Sequence, residues 1–481
     1  MQTPHRSIFT DGVRGIRPLR DLATRLSLVA LFLVSFSVAG DEPQNQKPAK
    51  ASSLPAGLTD DPLLNSRFLF FAPDALRRQT LRWVQKNKRI DMAAALIHAM
   101  RFHKPDERDE IASVLRALTG ERHRGDWFTW MLWIEAHPEV ESFAGFDVCL
   151  TSVFGNLDPV FKQFVFPGMA HRIRLEEIVW GGVGKDGIPA LTNPKLILAA
   201  EADRLVDDEL VFGVEINGDA RAYPFRYMDW HEMLNDVVGG VPVSLAYCTL
   251  CGSGILFDTR RPGDAPFVFG SSGLLYRSNK LMFDQQTHSL WNQFTGEPVT
   301  GSLTNSGLKL TALPVTIASW GEWRQLHSDT RVLAHETGFE RDYRPGAPYA
   351  RYFASDALMF PALVRDNVEA PKAYVFVLRI TGAERAWPLA LFTDKTVIND
   401  RTGVIDIVLV GNAKTRTVRA YSRGKERFTS GSRQDALVDG DGVRWTITED
   451  ALTAPDGRRL ARLPGHVAYS FAFDSYFPQG G

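Results

Sequence analysis

Apolar positions fall into two textures along the chain. Between residues 62 and 150 they recur at helical spacing. Pro73-Asp74 opens a segment through Leu76, Trp83 and Val84, and Asp91 stands where it can cap Met92 to Met100. Pro105-Asp106 leads into Ile111 to Leu118 ahead of Gly120. A fourth segment, Trp127 to Trp133, is aromatic enough to be core, and His98, His103 and His123 read as packing or surface residues. Helix arrays of this kind support or bind a neighbour more often than they catalyse, so a protein partner is expected through this region. Beyond residue 165 the pattern changes to short β-branched and aromatic runs broken by Gly, Pro, Asn and Asp, such as Leu210 to Ile216, Tyr374 to Ile380 and Val404 to Val410. The expected class is α+β: a small N-terminal helical domain, residues 62–150, followed by a mainly β domain, residues 165–478.

The β region carries an internal repeat. Val211 to Pro224 aligns without a gap on Val375 to Pro388, and the offset of 164 goes on to place Asn235-Asp236 on Asn399-Asp400 and Gly239 on Gly403. Two diverged copies of one unit are expected, about 205–300 and 370–460, each opening on a hairpin turned by Asn217-Gly218 or Thr381-Gly382. At the same offset His231 becomes Lys395, Cys248 becomes Asn412 and Cys251 becomes Thr415. A packing role common to both copies does not demand these three residues, which points to a site in the first copy.

The leader changes the setting. Arg6, Arg14, Arg17, Arg20 and Arg25 precede the uncharged run Leu26 to Gly40, and Ser37-Val38-Ala39 supplies small residues for cleavage. Residues 1–40 therefore read as an export signal or a membrane anchor, with a tether to the bilayer available through residues 26–40. Residues 41–61 read as a flexible linker. The body is expected outside the cytoplasm: periplasmic, secreted or membrane-anchored. Lys plus Arg number 55 against 56 Asp plus Glu, so no global basic field exists to hold nucleic acid.

The chain has only three cysteines, and two of them form Cys248-Thr-Leu-Cys251, just after Trp230-His231-Glu232. Paired sulfurs at this spacing suit metal ligation, redox exchange or a single nucleophilic thiolate. A thioredoxin-like site needs its first cysteine at a helix N-terminus, whereas Gly252-Ser-Gly254 followed by Ile255 to Asp258 reads as a turn into a strand. Haem attachment lacks its histidine, and a closed structural zinc site lacks two further ligands. A buried or disulfide-bonded pair without activity is the structural alternative. Ser271-Ser272-Gly273 and Ser278-Asn279 read as turns, Arg341-Asp342-Tyr343 with Pro348-Tyr349 as a loop able to wall a pocket, and His466 as the start of an alternating aromatic strand.

Several blocks in order resemble one bacterial family: Lys185 to Pro194, Gly213 to Gly218, Arg221-Ala-Tyr-Pro224, Trp230-His-Glu232, Asn235-Asp236, Tyr247-Cys-Thr-Leu-Cys-Gly-Ser253, Ser272 to Asp284 and Leu290 to Gly296. That family is catalogued as domain of unknown function 3179, and the resemblance spans about 170–478. It implies no activity, and it makes His231 and Cys248 firmer correspondences than Cys251. The leading expectation is a metal-binding or metal-dependent site using His231, Cys248 and Cys251, with Glu232 or Asp284 orienting the ligands and copper or zinc as the ion. The alternatives are a non-catalytic exported binding or scaffold protein with structural cysteines, and a cysteine-dependent transferase or hydrolase with Cys248 as nucleophile and His231 as base.

Overall fold

Six α-helices precede the first strand in the computed structural model, which describes residues 57–364, 370–380, 382–433 and 435–477. The leader and most of the linker lie outside the described residues. Leu58 is buried and Asp61 caps the first helix, Pro62–Phe71, by accepting the Leu63 amide. The helices Asp74–Lys86, Ala93–Met100, Pro105–Thr119 and Trp127–Ala136 follow. Asp91 does not cap its helix. A short 3₁₀ turn, Ile90–Met92, intervenes, and the Asp91 carboxylate is drawn to Arg89. Gly120 closes the fourth helix in the left-handed conformation. A sixth helix, Phe146–Leu157, carries the buried Cys149, whose thiol burial pushes up to about 11. Among the described residues no helix is long and apolar enough to cross a membrane.

Strands fill the remainder, so the protein is α+β with its helices mainly N-terminal. Three five-stranded sheets and a three-stranded sheet lead to an eight-stranded antiparallel one running from Thr396–Thr402 to Thr429–Ser430. Four strands recur 164 residues on with the same bounds: Leu210–Ile216 and Tyr374–Ile380, Asp219–Pro224 and Ala383–Pro388, Val241–Cys248 and Ile405–Asn412, Ser253–Asp258 and Thr417–Ser422. A lock recurs with them. Asp236 accepts from Arg221 and from the Tyr223 hydroxyl, while Asp400 accepts from Arg385 and the Trp387 indole. Asn217-Gly218 forms its hairpin turn with both φ angles positive, the type I′ geometry.

Two local expectations are corrected. Ser271-Ser272-Gly273 lie inside the strand Phe269–Tyr276, where the Ser272 hydroxyl bonds the Leu281 carbonyl of the next strand. The aromatic run after His466 is a strand only to Tyr469 and then a helix, Ser470–Tyr476. It is buried on every side, and alternation loses its meaning where both faces are covered.

The helices are not a separate body. One apolar cluster takes in Leu96, Ile97 and Trp130 from the helices together with Phe283, Phe294, Cys248 and Cys251 from the sheets. Phe164 packs on Phe283 at 5.0 Å, and His98 Nε2 bonds the Glu176 carbonyl at 2.8 Å. On the far side, Glu449 joins the sheets. It accepts from Arg419 at 2.6 Å, from Arg462 at 2.7 Å and from the Thr316 hydroxyl at 2.6 Å, all buried. Despite the cost of burial, the two guanidiniums hold its carboxyl well below the usual range. Glu449→Gln leaves both guanidiniums without a counter-charge and is expected to cost roughly 3–5 kcal/mol, read by chemical denaturation. Because the folded carboxyl is depressed, the wild type keeps this stability above about pH 4.3 and loses it as pH falls further, and the variant lacks that slope.

Candidate functional site

The strand Val241–Cys248 delivers Cys248 to a 3₁₀ turn, Thr249–Cys251, that reverses through Gly252 into the strand Ser253–Asp258. Gly252 has φ +58°, and a Cβ there would lie 3.1 Å from Tyr374 and 3.2 Å from Tyr469, so the turn has no room for a side chain. Both cysteines are free thiols and buried. The cysteines sit between strands and not at a helix N-terminus, as the sequence predicts.

Their surroundings are polar in an otherwise apolar core. Cys251 Sγ lies 3.4 Å from the Ser278 carbonyl and accepts from the Asn279 amide at 3.4 Å. Asn279 is oriented by Gln293, which in turn bonds the carbonyls of Ala246 and Ser253. Burial raises both thiols, but for Cys248 it is outweighed by the facing Cys251 thiol, the Lys280 ammonium and the Lys280 backbone N–H, so its ionisation falls below the ordinary thiol value. Cys251, buried beside it, is driven well above. The surroundings thus push the two thiols in opposite directions.

Lys280 is held by Glu232, Nζ to Oε2 2.8 Å, with both side chains buried. The other carboxylate oxygen accepts from the Thr249 hydroxyl at 2.6 Å and from the Tyr349 hydroxyl at 3.1 Å. Glu232 itself caps the helix Phe225–His231 in the left-handed region, φ +54°, a conformation that costs a non-glycine residue about 1 kcal/mol or more. The segment after residue 340 covers this cluster. Tyr349 reaches Glu232, Tyr352 donates to the Leu250 carbonyl at 2.6 Å, and Lys372 lies over the Tyr352 ring at 3.6 Å. The loop Arg341-Asp342-Tyr343 is part of this cover: Trp230 Nε1 donates to the Asp342 carbonyl at 2.7 Å. Asp229 lies against Tyr247 and the Gly346 backbone, and its carboxyl is pushed up to about 7, mainly by burial. Four consecutive residues, Asp229 to Glu232, thus each meet the covering segment.

His231 is not part of the dithiol cluster. Its Nδ1 lies 2.8 Å from the Pro189 carbonyl, which only accepts, so this nitrogen carries the proton and Nε2 accepts from the Tyr343 hydroxyl at 2.7 Å. Both ring nitrogens are engaged away from the sulfurs, and the expected set His231, Cys248 and Cys251 is not assembled. Among the described residues no three His, Cys, Asp or Glu side chains are grouped to hold a metal ion. Asp284 is also elsewhere: it accepts from Thr287 and from the Trp291 indole at 2.9 Å and locks a turn, as Asp439 does for Trp445. At the offset positions Asn412 and Thr415 make only local turn bonds. Lys280, Thr249 and Tyr352 complete the cluster without having been singled out, Asn279 enters from what reads in sequence as a turn, and Tyr349 comes from the loop expected to wall a pocket. A lysine inside the buried strand Asn279–Asp284 was the available signal, since such a charge needs a partner. A surface hollow of about 560 Å³ bordered by Asp207, Arg324 and Gln325 shares no residue with this cluster.

These features define an α+β protein with a covered, buried dithiol. The chain belongs to the family described as protein of unknown function (DUF3179), whose model matches residues 185–480 and so includes the whole dithiol cluster but none of the six N-terminal helices. No curated protein and no solved structure matches it.

Lys280→Met strands the Glu232 carboxylate in the core and is expected to lower stability by roughly 3–5 kcal/mol, whereas Glu232→Gln combined with Lys280→Met recovers a large part of that loss, as a double-mutant cycle in denaturant will show. Burial lowers the His231 pKa from 6.5 to about 4. The folded protein therefore binds fewer protons than the unfolded chain between these values, so stability declines as pH falls from 6.5 toward 4. His231→Gln is expected to flatten that slope in thermal melts, and NMR of the wild type should show a neutral ring protonated at Nδ1 at pH 6.

Proposed function

We propose that this is an exported dithiol protein that works through Cys248, with Cys251 as its partner in thiol–disulfide exchange. The observation that carries the reading is the pair of free thiols three residues apart in one buried turn, with Asn279 donating to Cys251 and the Lys280–Glu232 pair alongside. These surroundings push Cys248 down and Cys251 up, which distinguishes the attacking from the resolving sulfur. That is the division of labour such exchange requires. The Cys248 thiolate attacks one sulfur of a substrate disulfide, the substrate S–S bond breaks, and the outgoing sulfur leaves as a thiolate. The Cys251 proton passes to that thiolate. The Cys251 sulfur then attacks Cys248 Sγ, closing the intrachain disulfide and releasing the second substrate sulfur, which takes a proton from water. Two electrons move from the pair to the substrate, and a dithiol substrate reverses the sequence. His231 takes no part as base. The covering segment from Tyr343 to Tyr352 has to move for a substrate to reach the sulfurs.

Export rests on the arginine-bearing leader and the uncharged run of residues 26–40, and an oxidising compartment suits a reversible pair. The four recurring strands and the repeated Asp236 and Asp400 locks support descent of the β region from two copies of one unit, of which the first kept or gained the thiols. A second reading keeps the metal. Two sulfurs from one buried turn suit a thiophilic ion such as copper(I), which is content with two thiolates, and His231 is then not a ligand.

Reduced protein treated with oxidised glutathione is expected to lose two hydrogens and form a Cys248–Cys251 disulfide, and Cys251→Ser is expected to trap glutathione on Cys248. Elemental analysis of a chelator-free preparation separates the second reading, which predicts copper lost in Cys248→Ser and retained in His231→Gln. A folded protein whose Cys248 forms no mixed disulfide, is not alkylated below about pH 8.5, binds no copper, and whose Cys248→Ser variant simply melts lower would establish the cysteines as structural.

A further inference from the structure

Arg379 lies on the strand Tyr374–Ile380, directly opposite Glu384 in the ladder, where an ion pair is the ordinary outcome. The pair does not form. The guanidinium lies instead over the rings of Phe294, at 5.7 Å, and Phe477, at 6.0 Å. Among the described residues no side chain or carbonyl hydrogen-bonds or ion-pairs with it. The other nearby carboxylate, Glu297, is already paired with Lys309 at 3.2 Å. Burial pushes Arg379 down to about 10, against the weaker pull of Glu384 and Glu297, neither of which pairs with it.

A second unpartnered group shares this place. His466 faces Val377 across the ladder, two residues before Arg379, so the imidazole and the guanidinium project from the same face of the sheet. The His466 ring packs edge-on to the same Phe294 ring at 5.0 Å. His466 is only 5% exposed, and its Nε2 has no hydrogen-bond partner among the described residues. A buried ring nitrogen without a partner is uncommon, because each such group forfeits its hydration for nothing. Arg379 is half-buried and is the more accessible of the two.

We propose that Arg379 and His466 form a binding site for a small organic carboxylate whose apolar body rests on the partly exposed rings of Tyr476 and Phe477. The planar fork of a guanidinium matches both oxygens of a carboxylate. Burial and the neighbouring positive charge keep the His466 ring neutral, and in the tautomer protonated at Nε2 it adds a third donor to the same anion. The fully buried Phe294 is stacked on Tyr476 at 5.2 Å and 9° and so backs the partly exposed Tyr476 and Phe477 rings, which offer an apolar wall where a purely inorganic anion would need water or further donors. The site lies in the apolar cluster that also holds Cys248 and Cys251, but it stands independently of the chemistry assigned to them.

Benzoate is the probe, titrated calorimetrically into the full-length protein at fixed ionic strength, with the uncharged benzamide as its control. The expected result is saturable benzoate binding, no comparable benzamide binding, and a loss of affinity on the order of tenfold or more in Arg379→Gln. Arg379→Lys keeps the charge and removes the fork, so an intermediate affinity is expected; should Arg379→Gln fail to fold, this variant decides. A smaller loss is expected in His466→Gln. Absence of saturable benzoate binding, equal binding of benzamide, or unchanged affinity in a folded Arg379 variant overturns the proposal. None of these readouts depends on the reactivity of Cys248.

Discussion

The buried pair between Glu232 and Lys280 is the constraint around which the dithiol region is arranged. A carboxylate and an ammonium taken out of water together are tolerated only if their remaining hydrogen-bonding capacity is met. Glu232 meets it with the Thr249 and Tyr349 hydroxyls, and in doing so fixes three separate stretches of chain. Thr249 belongs to the cysteine turn, Lys280 to the strand that passes beneath it, and Tyr349 to the segment that covers it. The left-handed backbone of Glu232 persists because these contacts over-determine it. The environment of the sulfurs is therefore set one layer away from them.

The four strands that recur 164 residues on stand without that pair. Strand bounds and the carboxylate locks at Asp236 and Asp400 repeat, so they belong to the scaffold. Lys395, which stands where His231 does, spends its ammonium on the carbonyls of Gly431 and Ala436. The same backbone course thus supports either an ordinary turn or a dithiol, and the difference lies in a few side chains. Interactions that recur carry the architecture, and those that do not mark the chemistry.

The legible part of the sequence was the local part. Helix starts at Pro105, the Gly120 stop, the Asn217-Gly218 turn and the strand following Gly252 are written in neighbouring residues, and each stands where expected. Asp91 was misread because an intervening 3₁₀ turn and Arg89 compete for it, and the aromatic tail was misread because complete burial erases periodicity. The cysteine turn was visible from its spacing, and Glu232 and Tyr349 were legible beside it, but Lys280 and Thr249 were not. His231 and Glu232 are adjacent in sequence, yet a helix end sends one ring to Tyr343 and the other side chain to Lys280. Adjacency promised a histidine beside the sulfurs and the fold put a glutamate there.

Asn279 and Lys280 reach the sulfurs from a two-residue turn, Arg277-Ser278, with both φ angles positive and no glycine to ease them. Arg277 is tied to Glu177 at 2.7 Å and to the Ser475 carbonyl at 2.9 Å, and the strand leading into the turn is flanked by Ile178–Trp180. Glu177 and that flanking strand both precede residue 185, where the family match begins. The stretch that the family model matches and the physical module therefore have different borders. A fragment cut at residue 185 would bare a sheet edge and release the anchor of the turn that supplies Lys280, so recombination or engineering that moves this module intact must carry the preceding segment with it.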